Sequence, residues 1–195
     1  MDLTPARREL VTTRLLMQAG DEALAEAVAQ FYERNRAHFA RWDPPTVEAF
    51  YTAAGQAERI RLGLKAFAEG SAFRYWLSPL GDPGHIVGSV HFSQVARGAF
   101  HNCVLGYALD AQCQGRGLMH EAVSAGIEEM FSPRVNLHRI QAAYRPENKR
   151  SGAVLARLGF RPEGLARDYL FIDGAWRDHQ LTALTNPDFS EPPDW

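Results

Sequence analysis

Leu105-Gly106-Tyr107-Ala108-Leu109-Asp110-Ala111-Gln112-Cys113-Gln114-Gly115-Arg116-Gly117-Leu118-Met119 passes from an alternating apolar segment, through a glycine-bearing turn, into a helical pattern. The alternation puts Cys103, Leu105, Tyr107 and Leu109 on one face of a strand over residues 101–109. A helix over 117–131 follows, its apolar pairs Leu118/Met119, Ala122/Val123, Gly126/Ile127 and Met130/Phe131 recurring every four residues. A helix that begins where a strand stops offers unpaired amide protons and partial positive charge to an anion. Gly115 and Gly117 let the backbone approach a ligand, Arg116 adds a cation, and Gly106 marks a close approach within the strand. The loop therefore reads as a pyrophosphate cradle or as a tight strand-to-helix turn with no ligand. It is not a Walker A loop, because Leu118-Met119 stand where Lys and Ser or Thr are needed. Nor is it a dinucleotide fingerprint, since His120 replaces the third glycine.

Outward from this stretch, residues 10–17 predict a first strand and residues 21–42 a helix opened by Asp21 and ended by Pro44-Pro45. A second helix is expected over 46–69, though Gly55 and Gly63 each weaken it by ~1 kcal/mol. Strands over 73–77 and 86–92 flank the turn-rich Ser78-Pro79-Leu80-Gly81-Asp82-Pro83-Gly84. Beyond the central helix come a strand over 137–144, a helix over 148–158 closed by Gly159, and a hairpin about Asp173-Gly174. A two-residue turn there would set Asp168 opposite His179, an acid–imidazole pair suited to relaying a proton or to a plain ion pair. The succession predicts a mixed α/β sheet and one domain over residues 1–195.

The 195 residues are 46% hydrophobic and carry 21 basic against 23 acidic side chains, which excludes a disordered chain and a global basic field for nucleic acid. Cys103 and Cys113 are too few for a disulfide framework and are expected to be reduced. Met1-Asp2-Leu3-Thr4-Pro5-Ala6-Arg7-Arg8-Glu9 lacks the apolar stretch of a secretory leader, and no run approaches a membrane span, so a cytoplasmic location is expected. His120-Glu121-Ala122-Val123-Ser124 has Ser124 where a second zinc-ligating histidine must stand, so no metal is expected. No serine sits in a G-x-S-x-G elbow.

Gln112-x-x-Gly115-x-Gly117 matches the Q/R-x-x-G-x-G/A signature of GNAT-fold N-acetyltransferases, and the chain resembles that family. Its text is most similar to the branch that acetylates the N-terminal alanine of ribosomal proteins. The likeness rests on Leu105-Gly106-Tyr107, Asn148-Lys149-Arg150-Ser151-Gly152, Leu155-Ala156-Arg157-Leu158-Gly159-Phe160, Asp168-Tyr169-Leu170, Trp176-Arg177-Asp178-His179 and Leu181-Thr182-Ala183-Leu184-Thr185. The match is dense over residues 70–188 and looser over 1–70. The resemblance implies a GNAT fold, in which a mixed, mostly antiparallel central sheet is flanked by helices and ends in a β-hairpin. It implies acetyl-CoA as co-substrate and no metal, with residues 1–70 on the acceptor side and 71–188 holding acetyl-CoA.

By the same resemblance the backbone of Tyr107, Ala108 and Leu109 would pair with pantetheine. Gln114, Gly115, Arg116, Gly117, Leu118 and Met119 would hold the pyrophosphate, and Asn148 would lie beside pantetheine or simply cap its helix. Ser151 would give a proton to the departing thiolate, or else bond the backbone of its own first turn. Asp168 would act as base, and Glu163 is a second carboxylate candidate. Cys113 lies in the phosphate loop and is a poor nucleophile candidate, so direct attack in a ternary complex is expected. Arg134, Arg139, Arg145, Lys149, Arg150 and Arg157 form a solvated face, or contact the adenosine 3′-phosphate or ribosomal RNA. The implied acceptor is the N-terminal α-amine of a ribosomal protein, on the small subunit in one form of this reading. Alternatives are a small-molecule amine such as an antibiotic or polyamine, or a non-catalytic CoA-binding module for ribosome assembly.

Overall fold

The computed structural model describes residues 6–191, so the stretch read for a leader lies partly outside the described residues. In chain order it contains β1 (Glu9–Val11), β2 (Leu15–Gln18), α1 (Ala25–Arg34), α2 (Arg36–Phe39), α3 (Ala53–Ala68), β3 (Phe73–Pro79), β4 (Gly88–Ala96) and β5 (Asn102–Leu109). Then follow α4 (Leu118–Phe131), β6 (Arg139–Tyr144), α5 (Lys149–Arg157), β7 (Arg161–Ile172) and β8 (Ala175–Thr185). The strands form one sheet in the order β1-β2-β3-β4-β5-β6-β8-β7. Every neighbouring pair is antiparallel except β5 and β6. Those two are parallel because α4 connects them, and parallel neighbours require such a crossover. This is the mixed, mostly antiparallel sheet with a C-terminal hairpin that the resemblance implies.

Strand alternation divides the core in two. Phe73, Tyr75 and Leu77 of β3 join Met119, Ala122, Val123 and Met130 of α4 in one apolar cluster. Trp76, from the other face of β3, packs with Phe31, Tyr32, Phe39, Ile60 and Ile86 in a second. Helices α4 and α5 thus cover one face of the sheet and α1 and α2 the other, while α3 gives Ile60 to the second cluster and Phe67 to the first. Among the described residues no helix is long and apolar enough to cross a membrane.

Three sequence expectations are corrected here. Residues 10–17 are two short strands, because the Thr12 hydroxyl accepts from the Leu15 amide at 3.0 Å while the Thr12 amide bonds the Leu15 carbonyl at 2.9 Å, closing a turn. A threonine that bonds nearby backbone competes with the strand ladder. The helix expected over 21–42 breaks at Asn35 and ends at Phe39, before the prolines act. Asn35 Nδ2 is drawn to the Phe31 carbonyl at 2.9 Å and to Asp110 at 3.1 Å. The second helix starts only at Ala53, where the Thr52 hydroxyl accepts from the Gly55 amide at 3.1 Å. Residues 48–51 form a separate 3-10 turn.

Asp110 ties these layers together at the end of β5. Its carboxylate accepts from Arg34 Nε at 2.7 Å, Asn35 Nδ2 at 3.1 Å and the Gln112 amide at 2.9 Å. Burial alone would raise its pKa, but the hydrogen bonds from Asn35, Gln112 and Arg34 outweigh it and hold the carboxyl below its ordinary value. Asp110→Asn is expected to cost about 1–3 kcal/mol at pH 7, because the partly exposed Arg34 and the buried Asn35 lose a charged acceptor. A depressed folded-state pKa adds stability that is complete above the unfolded value of about 3.9 and is lost as the pH falls through the folded one. Urea unfolding at pH 7 and near pH 3 should therefore show the gap between wild type and Asp110→Asn narrowing in acid.

Candidate active site

The ladder between β5 and β6 runs only from Asn102↔Arg139 to Leu105↔Ala142. Beyond it, β5 continues to Leu109 while β6 turns to β8 alone. The β5 edge over 106–109 therefore faces away from β4, in the middle of the sheet, with no strand to pair with among the described residues. Gly106 is exposed there, and a Cβ on it would meet nothing within 4 Å. An unpaired strand edge of this kind accepts an extended amide-bearing ligand by strand-like pairing.

The chain next enters the glycine loop. Gly115 and Gly117 both have φ of +76°, a left-handed backbone that costs other residues about 1–2 kcal/mol. Gly117 is the N-cap of α4, and among the described residues no side chain caps that end, whereas Asp21, Thr52 and Asn148 cap their own helices. The first-turn amides of α4 are thus left to an anion from outside the helix.

The loop is braced from the far edge of the sheet, which the sequence reading missed. The Glu121 carboxylate in the first turn of α4 accepts from Thr12 Oγ1 at 2.6 Å, the Arg14 amide at 2.8 Å and Arg14 Nε at 2.7 Å. Arg14 Nη1 donates to the Arg116 carbonyl at 2.9 Å. Burial would raise the Glu121 pKa, but these bonds from Thr12 and Arg14 carry it below its ordinary value. No local pattern announces a contact between residues this far apart in sequence. Gln114 is held from two other elements: its Nε2 donates to His38 Nε2 at 2.9 Å, and its Oε1 accepts from Arg150. Burial, then the Arg150 charge, lowers the His38 pKa and keeps that ring neutral to accept. A cavity of about 380 Å³ opens here, lined by His38, Arg41, Trp42, Gln114, Asn148 and Arg150.

Asn148 caps α5 by accepting from the Ser151 amide at 3.1 Å. The Ser151 hydroxyl lies 2.8 Å from the Tyr107 hydroxyl, which also donates to the Ser151 carbonyl at 3.1 Å. Burial pushes the Tyr107 pKa up to about 12, so the phenol stays protonated near neutrality. The structure thus joins Ser151 to a partner on the open strand whose side chain the sequence reading left without a role. Gly152 makes room for the Tyr144 ring, since a Cβ there would lie 2.8 Å from it.

Asp168 does not face His179. The register set by the two-residue turn holds from Ile172↔Ala175 to Leu170↔Arg177, but Ala166 is then opposite His179. Arg167, Asp168 and Tyr169 bulge out across from Asp178, whose carboxylate accepts from the Asp168 amide at 3.0 Å and from Arg167 at 2.6 Å. Asp168 itself is exposed, with φ of +46°. His179 is buried, bonded to the Arg177 carbonyl and set against the Tyr169 ring. A two-residue turn fixes register only until the first bulge. Glu163 pairs with Arg139. Cys113 is a free thiol in the loop, and burial, reinforced by Asp110, raises its pKa. Among the described residues no group of His, Cys, Asp or Glu has a metal-holding arrangement.

A parted parallel strand pair, an uncapped helix after a double-glycine loop and a mixed sheet define an acyl-CoA-binding acetyltransferase. The chain matches the acetyltransferase (GNAT) domain over residues 14–161 and belongs to that family, whose co-substrate is acetyl-CoA. It is 44% identical over 181 residues to the [ribosomal protein uS5]-alanine N-acetyltransferase of Escherichia coli, covering 93% of this chain and 92% of that one. Its fold superposes with a TM-score of 0.90 on the crystal structure of ribosomal-protein-S5-alanine acetyltransferase from Vibrio fischeri, at 37% identity over 94% of this chain and 99% of that one. Mycobacterium smegmatis RimJ in complex with CoA-disulfide gives a TM-score of 0.83 at 29% identity, over 91% and 84% of the two chains.

Arg14→Ala should loosen the glycine loop and raise KM for acetyl-CoA about 5- to 10-fold, as loss of a charge-assisted bond to the loop implies. The kcat at saturating acetyl-CoA should change little. Steady-state kinetics with acetyl-CoA as the varied substrate checks this.

Proposed function

We propose that this chain transfers acetyl from acetyl-CoA to the N-terminal α-amine of a ribosomal protein, alanine of uS5 being the favoured acceptor. The observation that carries this reading is near full-length similarity, at 44% identity, to an enzyme named for that acceptor. The site supports it, since the open edge of β5 and the uncapped end of α4 offer an extended arm and a phosphate group what each lacks in protein partners. Tyr107, Ala108 and Leu109 would hold the pantetheine amides, and the amides of 114–119 the pyrophosphate. In this reading residues 1–70 shape the acceptor side, and the two free thiols, Cys103 and Cys113, suit a cytoplasmic site of action.

When bound, acetyl-CoA supplies the acetyl group and leaves as a thiol. An α-amine with a pKa of about 7.7–8.0 is freed of its proton at pH 7 for roughly 1 kcal/mol, whereas a lysine costs nearer 4–5. Ser151 is the proton donor toward the leaving sulfur, and Tyr107 holds its hydroxyl in place and can resupply the proton. With the Cys113 thiol held protonated in the phosphate loop, the amine attacks directly, without an acetyl-enzyme.

Two measurements test the reading. Thiol release should be fast with Ala-initiated peptides and slow with Nα-blocked lysine peptides and small amines; turnover confined to small amines would sink the N-terminal acceptor. Ser151→Ala should lower kcat about 10- to 100-fold, the lower part of the range for a general acid. An unchanged rate across pH would remove Ser151 from the mechanism.

A further inference from the structure

We propose that Asp43 is the residue that holds the acceptor's α-ammonium and takes up the proton the amine sheds before attack. This deepens the acceptor reading and rests on it. A second cavity, of about 310 Å³, lies between the segment that follows α2 and the tip of the β7–β8 hairpin. Aromatic rings of Tyr32, Phe39, Phe50, Tyr51 and Phe171 line it.

Its charged groups differ in whether they are already satisfied. Arg36 is taken by Glu48 and lies 4.2 Å from the centre of the Tyr51 ring. Asp173, on the hairpin, is 3.6 Å from Arg177. Among the described residues the Asp43 carboxylate has neither a hydrogen-bond nor an ion-pair partner. Asp43 is solvent-exposed where it lines the cavity, and desolvation by its surroundings pushes its carboxyl up to about 6. Its charge is felt by Tyr32, raising the pKa of a phenol already raised by burial.

The backbone holds this carboxylate ready. The Asp43 amide donates to the Phe39 carbonyl at 2.8 Å, and Pro44-Pro45 restrict the chain that follows. One uncompensated carboxylate among aromatic faces matches one ammonium on a short apolar residue: charge-assisted hydrogen bonds for the first, ring contact for the second. The preceding residue supplies the link to the co-substrate, for Trp42 lines the other cavity with Gln114 and Asn148. In the proton step one N–H bond of the ammonium breaks and one O–H bond forms on Asp43. The electron pair stays on nitrogen, which is then free to attack.

The test compares wild type, Asp43→Asn and Asp43→Glu with an Ala-initiated peptide and with the same peptide carrying a propionyl group in place of the N-terminal alanine, so that only the amine is missing. Wild type should bind the amine peptide more tightly than its des-amino twin. Asp43→Asn should bind the two alike, lose about 10- to 100-fold in kcat/KM, and keep its affinity for acetyl-CoA, with Asp43→Glu recovering part of the loss. Unchanged kcat/KM together with intact discrimination in Asp43→Asn would overturn the proposal. If wild type acetylates only a small amine, the peptide reading fails on its own. The same variants are then run with that amine, where a loss in Asp43→Asn supports the role of Asp43 and no loss removes it.

Discussion

A sheet that parts in its middle leaves backbone donors and acceptors facing each other without partners, a cost that closed hydrogen-bond ladders avoid. Here β5 and β6 pair for four residues, Asn102–Leu105 against Arg139–Ala142, and then diverge. The divergence is possible because each strand is secured on its outer side, β5 by β4 and β6 by β8. The cleft between them is a fixed gap in a well-braced sheet. Every other part of the site is arranged around it: the glycine loop continues from the end of β5, α5 starts at the end of β6, and Tyr107 reaches across to Ser151.

Around that gap, polar side chains join elements that would otherwise be separate. Asp110 clamps the end of α1 to the end of β5, Glu121 takes Thr12 and Arg14 from the first hairpin, and Gln114 is held between His38 and Arg150. These bonds brace Glu121, Arg116 and Gln114 around the start of α4, whose first-turn amides have no side-chain cap among the described residues. Preorganised donors cost no rearrangement when an anion arrives. Helices α1 and α2 are thereby attached to the end of β5 and to the glycine loop.

Much of the architecture was legible. The alternation over 101–109 and the four-residue spacing over 118–131 each reported a local period, and a local period is set by local geometry. Elements failed where a side chain chose a distant or competing partner. Thr12 split a strand by bonding backbone, Asn35 broke a helix by turning to Asp110, and the Arg167–Tyr169 bulge moved Asp168 away from His179. Ser151 was singled out from the text around it, but its link to Tyr107 requires knowing that β5 and α5 meet.

The sequence by itself determined the elements with a clear period and the glycine loop between strand and helix, because these lie within short stretches of chain, and the family resemblance carried by Gln112-x-x-Gly115-x-Gly117 and the text around it implied the kind of co-substrate. Tertiary structure alone decided where β5 leaves β6, which groups brace the loop, and that Asp43 stands in an aromatic cavity without a partner among the described residues. Those are properties of register and long-range packing, in which residues tens of positions apart either satisfy one another's charges and hydrogen bonds or leave them open.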